Sequence, residues 1–307
     1  MSIRTATNEL IDEFRSRPTL RAGSLIVTVF GDAIAPRGGS VWIGSLIDVM
    51  AGFGISERLV RTSVFRLSGD GWLEARPIGR RSFYGLTADG AERFEHATHR
   101  IYGEPRRSWS GDWCIVLLGG VSAPARDALR REMTWLGFGA IGGSVLAHPA
   151  PDQEALRHLL DDQGVAADVV VLTGKSAGAI QDQQLRSLAK KSWNLDDIDN
   201  RYGEFVARFT PVSKAVVRTR AIDAELAFRI RTLLIQEYRK ILLRDPLLPA
   251  DLLPDGWRGA DAYGLCRSLY RSVFRQAEDY LSDAMETADG PLPAVSPAFY
   301  DRFGGLE

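Results

Sequence analysis

Arg58, Arg61, Thr62 and Arg66 recur at helical spacing, and their side chains suit a phosphate backbone and base edges. A guanidinium can donate paired hydrogen bonds to a phosphate or to guanine O6 and N7, and a helix is the element that fits the major groove. In the same stretch Val60, Val64 and Leu67 fall at i, i+4 and i+7, which predicts a helix with its apolar side turned to a core. Ser56 and Glu57 mark its start. Beyond it, WLEARPIGRRSFYGLT reads as two short strands joined at Pro77 to Arg81, so that Arg80 and Arg81 would reach a neighbouring phosphate or the minor groove. Residues 56–81 hold six basic and three acidic residues and residues 1–110 fifteen and twelve, so the basic surplus of the first part lies in this stretch.

Other motifs invite catalytic readings and fail on context. Gly137 to Gly142 satisfies GxGxxG, but it follows a predicted helix and opens a hairpin, the reverse of a dinucleotide-binding turn. Gly174 to Gly178 satisfies GxSxG around Ser176, yet His96, His99, His148 and His158 all precede that serine, whereas a nucleophile elbow needs its histidine afterwards. The GKS within it is no Walker loop, because Val169 stands where the first glycine belongs. Glu92, His96 and His99 form only part of a metal set, and Asp196, Asp197 and Asp199 read as a solvated helix end. No catalytic residue, metal or cofactor is expected.

The positioning elements follow an α+β order. A polar leader precedes an apolar stretch, Ser24 to Ala35, read by its length as a helix; a second helix starts at Ser40, the arginine helix follows, and the hairpin leads into a helix from Thr87 to His99. Three short helices and a basic hairpin are the order of a winged helix-turn-helix, assigned to residues 1–108. From Asp112 to Gly174 the pattern is βαββαβ, with Gly142 and Gly143 as hairpin turn, so residues 109–178 are expected to form a ferredoxin-like domain for dimerisation or coupling. Residues 179–290 read as helical, for effector binding or dimerisation. A Pro-rich tail, 291–307, is expected to be poorly ordered.

Composition bounds the remaining classes. The 307 residues include 38 basic and 39 acidic ones, and only Cys114 and Cys266 occur, outside any CxxC context, which suits a reducing cytoplasm. No apolar run approaches the ~20 residues of a membrane span, and the acidic start MSIRTATNELIDEFRSR is not read as a signal peptide. Near-neutral charge argues at first against nucleic acid, but residues 111–307 hold 23 basic and 27 acidic residues, so a basic head is joined to an acidic body.

Three blocks, SLIVTVFGDAIAPRGGSVWIGSLI, GISERLVRTSVFRLSGDGWL and GRRSFYGLT, resemble the amino-terminal domain of the PaaX family, transcriptional repressors of phenylacetate degradation operons. The resemblance continues through WLGFG and through LLIQEYRKILLRDPLLPADLLPDGW. It implies a homodimeric repressor that binds double-stranded operator DNA and is released by an aryl-acyl-CoA, such as phenylacetyl-CoA. The family's middle domain is similar to small ferredoxin-like CRISPR nucleases, but Gly119 and Gly120 stand where those enzymes carry an aspartate. An enzyme, whether nuclease or CoA-dependent, is therefore disfavoured, and a protein-interaction module stays open. A CoA thioester needs cations and an aromatic slot, and Trp193, Arg218, Arg220, Arg229, Tyr238, Arg239 and Trp257 are the candidates. The competing assignment ties such arginines to carboxylates like Glu225, Glu237 and Asp245.

Overall fold

The computed structural model of the chain describes residues 1–17, 22–105, 109–149, 151–175 and 182–306, so Ser176 lies outside the described residues. They fall into two compact units, Met1–Glu104 with Glu204–Lys240 and Asp261–Glu307, and Pro105–Gly203 with Ile241–Ala260.

The first unit begins with α1 (Ile3–Arg15), a helix where a polar leader was expected. Its buried side is Ala6, Leu10, Ile11 and Phe14, an amphipathic stripe sparse enough to look polar on average. The apolar run that follows forms α2 (Ala22–Val29), a π-helical turn (Phe30–Ile34) and a 3-10 turn (Ala35–Arg37). Gly38, at φ +89°, ends it in a conformation that glycine tolerates without strain.

Ser40–Trp42 corrects the expected start of the second helix: it is a strand, β1, and α3 (Ile43–Ala51) starts only afterwards. The cause is tertiary. Val41 lies opposite Tyr84 of β3 (Arg81–Leu86), which also pairs antiparallel with β2 (Leu73–Ile78), giving the sheet order β1-β3-β2. Three residues are too few to show a period, so only the partner reveals the strand. Between α3 and β2 lies α4 (Glu57–Gly69), and after β3 comes α5 (Ala88–Tyr102).

The helices α9 (Leu195–Val217) and α10 (Ala224–Leu242) each contribute residues to both units, while α11 (Gly259–Ala284) lies mainly in the first. After α11 the tail is ordered, contrary to expectation. The strands β8 (Glu286–Thr287) and β9 (Gly290–Pro291) form a small hairpin, and a final 3-10 segment (Pro297–Gly304) buries Phe299, Arg302 and Phe303. Arg302 and Phe303 leave helical backbone angles there, so the burial of the three follows no helical period that the sequence could display.

The second unit contains β4 (Asp112–Leu117), α6 (Ala123–Trp135), β5 (Gly139–Gly142), β6 (Val145–His148), α7 (Gln153–Asp162) and β7 (Val170–Lys175). The sheet order is β5-β6-β4-β7 with every pair antiparallel, and both helices pack on one face through Leu129, Met133, Leu156 and Leu160 against Cys114, Val116 and Leu146. The helix α8 (Asp182–Ser192) leads to Trp193, whose ring fills the space that a side chain at Gly139 would need. The GxGxxG glycines thus serve a turn and a close indole contact. No described helix is long and apolar enough to cross a membrane.

Candidate nucleic-acid interface

The helix α4 is fixed by burial of Val60, Val64 and Leu67, and Ser56 caps it by accepting a hydrogen bond from the Leu59 N–H. Anchoring one side necessarily turns the other outward. Arg58, Arg61, Thr62, Phe65 and Arg66 are all exposed on that face. Arg61 lies 2.8 Å from Glu57, one turn earlier, with both groups more than half exposed, so water and salt weaken the pair. The Thr62 hydroxyl donates to the Arg58 carbonyl at 2.9 Å. Arg58 and Arg66 form no ion pair among the described residues.

The hairpin β2–β3 turns at Gly79 and Arg80, Ile78 pairing with Arg81 across it. Gly79 adopts φ +59°, as a two-residue turn requires. Phe83 faces the core, whereas every residue of β2 after Leu73 is exposed. Arg80 sits at the tip. Arg81 is placed differently from the tip residue of the sequence reading: its guanidinium lies 4.4 Å from the centre of the Trp42 ring and 2.8 Å from Glu286. Stacking and pairing hold it at the base of the turn. Phe65 is the residue on this surface that the sequence reading missed, although its position three and four residues after Thr62 and Arg61 was the available signal.

The proposed effector residues are divided between the two units. In the second unit, the Trp193 indole N–H donates to the Gly137 carbonyl at 2.7 Å, and Trp257 packs edge-on against Tyr202. In the first, Tyr238 is buried against Phe205, and Arg229 pairs with Glu225. Arg239 donates to the Thr28 hydroxyl at 2.6 Å and the Ser24 carbonyl at 2.7 Å, tying α10 to α2. Burial pulls its guanidinium down to about 10, still charged at neutral pH. Arg218 and Arg220 are exposed at and beyond the end of α9. Arg218 lines a surface cavity of about 280 Å³ with Met1, Thr210, Pro211, Lys214 and Ala215.

A buried ionic knot holds the first unit together. Asp32, in the π-helical turn after α2, lies 2.8 Å from Arg231 of α10 and 3.0 Å from Arg302 of the tail. It also accepts hydrogen bonds from the Tyr102 and Tyr270 hydroxyls at 2.7 and 2.9 Å. Burial disfavours its charge, but the two arginines and two hydroxyls outweigh that cost and hold its carboxyl below the usual range. Glu278 of α11 pairs with both Arg231 and Arg37, extending the knot. The turn carrying Asp32, α5, α10, α11 and the tail thus meet through charges that can be satisfied only together.

Three family models cover most of the chain in order: PaaX-like protein at residues 21–90, PaaX protein central Cas2-like domain at 106–186, and PaaX-like protein C-terminal domain at 193–283. The Transcriptional repressor PaaX of Escherichia coli (strain K12) is 36% identical over 284 residues, 92% of this chain and 90% of that protein. The chain belongs to the PaaX family. Among solved structures, the uncharacterized protein Rv0674 from Mycobacterium tuberculosis matches with a TM-score of 0.53 and 24% identity over 84% of this chain and 97% of that one, a likeness of fold. The first PaaX model spans α2 to the start of α5 and so takes in every residue of the basic surface.

Proposed function

We propose that this chain is a cytoplasmic, DNA-binding transcriptional repressor of an aromatic-acid catabolic operon, phenylacetate degradation being the process to which the PaaX resemblance points. The observation that carries the reading is the outward face of α4, where Arg58, Arg61, Thr62 and Arg66 stand together on a helix anchored by its other side. With α2, α3 and the β1-β3-β2 sheet, this face belongs to a winged helix-turn-helix within residues 1–108, α4 entering the major groove and the β2–β3 hairpin serving as wing. Arg80 at the hairpin tip contacts the adjacent backbone, and Arg81 joins it when a phosphate displaces Glu286. The 36% identity to the Escherichia coli transcriptional repressor supports repression.

Residues 109–178 form the ferredoxin-like domain and residues 179–290 the helical effector domain, followed by the tail, 291–307. A nuclease would need an acid at the end of β4, where Leu118, Gly119 and Gly120 stand. The repressor acts as a homodimer. Supporting this, β7 is an edge strand whose Val170, Val171 and Leu172 are 41–52% exposed. Two-fold pairing of β7 with its own copy covers an edge that proteins rarely leave open.

The effector is an aryl-acyl-CoA such as phenylacetyl-CoA, and no cofactor is needed. Lys214 and Arg218 beside Pro211 and Ala215 offer cations next to apolar surface, large enough for a phosphate-bearing part of such a ligand. The test is a selection of bound fragments from random DNA by the full chain, followed by release with aryl-CoA thioesters. A palindrome or repeat with half-sites about one helical turn apart supports the dimeric reader. Selection of no sequence contradicts it, and a complex indifferent to every thioester contradicts the effector.

A further inference from the structure

The exposed face of α4 is not uniformly polar. Its stripe runs 58, 61, 62, 65, 66 and 69, the i, i+3, i+4, i+7, i+8, i+11 spacing of one helix side, and Phe65 stands within it at 80% exposure. No other large apolar side chain among the described residues is as exposed. Phe65 has no ring contact and no cation stacked on it among the described residues, unlike Trp42 beneath Arg81. One turn further on, Gly69 has open space beside it, so nothing there shields the ring.

A single exposed apolar residue is ordinary on a protein surface. This one is distinguished by its company: Arg61 and Thr62 lie one turn before it and Arg66 directly after it, so any duplex that engages those groups also covers the phenyl ring. Resting on the DNA-binding reading above, the question is what the ring meets. A phosphate offers it nothing, and guanine, adenine and cytosine present donors and acceptors in the major groove. Thymine alone presents an apolar group there, its C5 methyl. From Arg58 to Phe65 the helix rises about 10 Å, some three base-pair steps, so the ring and the Arg58 guanidinium address different base pairs of one half-site.

We propose that Phe65 is a specificity-determining residue that packs against the C5 methyl of a thymine in the operator major groove. The arginines hold the helix by charge, and the ring adds a preference that charge cannot supply.

The experiment uses the full chain and the operator obtained by selection from random DNA. Each thymine of a half-site is replaced singly by deoxyuridine, which removes only the methyl, and equilibrium binding is measured for the unaltered protein and for Phe65→Ala. One position is expected to weaken binding by the unaltered protein about fourfold, the worth of one buried methyl. Phe65→Ala is expected to bind the thymine operator more weakly and to be indifferent at that position, with an unchanged unfolding midpoint because the side chain is exposed. Indifference of the unaltered protein at every thymine overturns the proposal while leaving the DNA-binding reading intact. So does full operator affinity in Phe65→Ala, which would assign the ring to a protein contact. Failure to select any DNA overturns both.

Discussion

The guanidinium of Arg81, at the start of strand β3, lies 2.8 Å from the carboxylate of Glu286, in the first strand of the C-terminal hairpin. The backbone N–H of Glu286 donates to the Ser45 hydroxyl of α3 at 3.1 Å, so the carboxylate is held in place. A phosphate approaching the wing must therefore compete with a carboxylate already there. Both side chains are about half exposed, which keeps the pair weak enough to exchange.

Replacing Glu286 by Gln removes the competitor. Operator affinity is expected to rise a few-fold in 50 mM salt, and the slope of log K against log salt to steepen by about one unit as Arg81 takes up a phosphate. Filter binding across a salt series checks both, and an unchanged slope would assign Arg81 to structure alone.

The Asp32 knot carries a larger energetic prediction. Asp32→Asn leaves Arg231, which is fully buried, without its full countercharge. Breaking one partner of a buried pair costs about 3–5 kcal/mol. Urea unfolding monitored by tryptophan fluorescence should show that loss, with the slope unchanged.

The same group sets an acid limit. Because its folded pKa is depressed, Asp32 contributes stability that is present above the ordinary value of 3.8 and is lost as pH falls through the folded value. Glu237 behaves alike: burial would raise it, but hydrogen bonds from Arg17 and Lys240 hold it low. Unfolding midpoints measured from pH 7 to pH 3 should fall most steeply below about pH 4, and less steeply in Asp32→Asn.

The tail offers a further test. Phe303 is fully buried among Tyr102, Tyr263 and Tyr270. Phe303→Ala is expected to cost about 3–5 kcal/mol. A surface segment of a disordered tail would register almost nothing in the same denaturant titration.

These particulars show which physics the sequence displayed. The face of α4 was legible because its apolar residues repeat over about two turns, and the order of β4 to β7 because strands and helices alternate between glycine turns. β1 was not legible, since three residues show no period until a partner is known. Asp32 sat unnoticed inside an apolar run, although an acid among such neighbours already demands a countercharge. Its partners, Arg231 and Arg302, lie about 200 and 270 residues further on, which no local pattern connects. Two of the arginines proposed for an effector are bound to groups of the fold: Arg229 to Glu225, Arg239 to Ser24 and Thr28. Composition could not tell a ligand's cation from a strut.

The central claim is that the outward face of α4 reads operator DNA. Its most direct test is equilibrium binding of Arg61→Ala and Arg66→Ala to the selected operator and to a scrambled duplex, at one fixed salt concentration. A base-reading arginine is expected to cost about 1–3 kcal/mol on the operator and to relax preference at its position, with little change on the scrambled duplex. Operator affinity and preference equal to those of the unaltered protein in both variants would contradict the account.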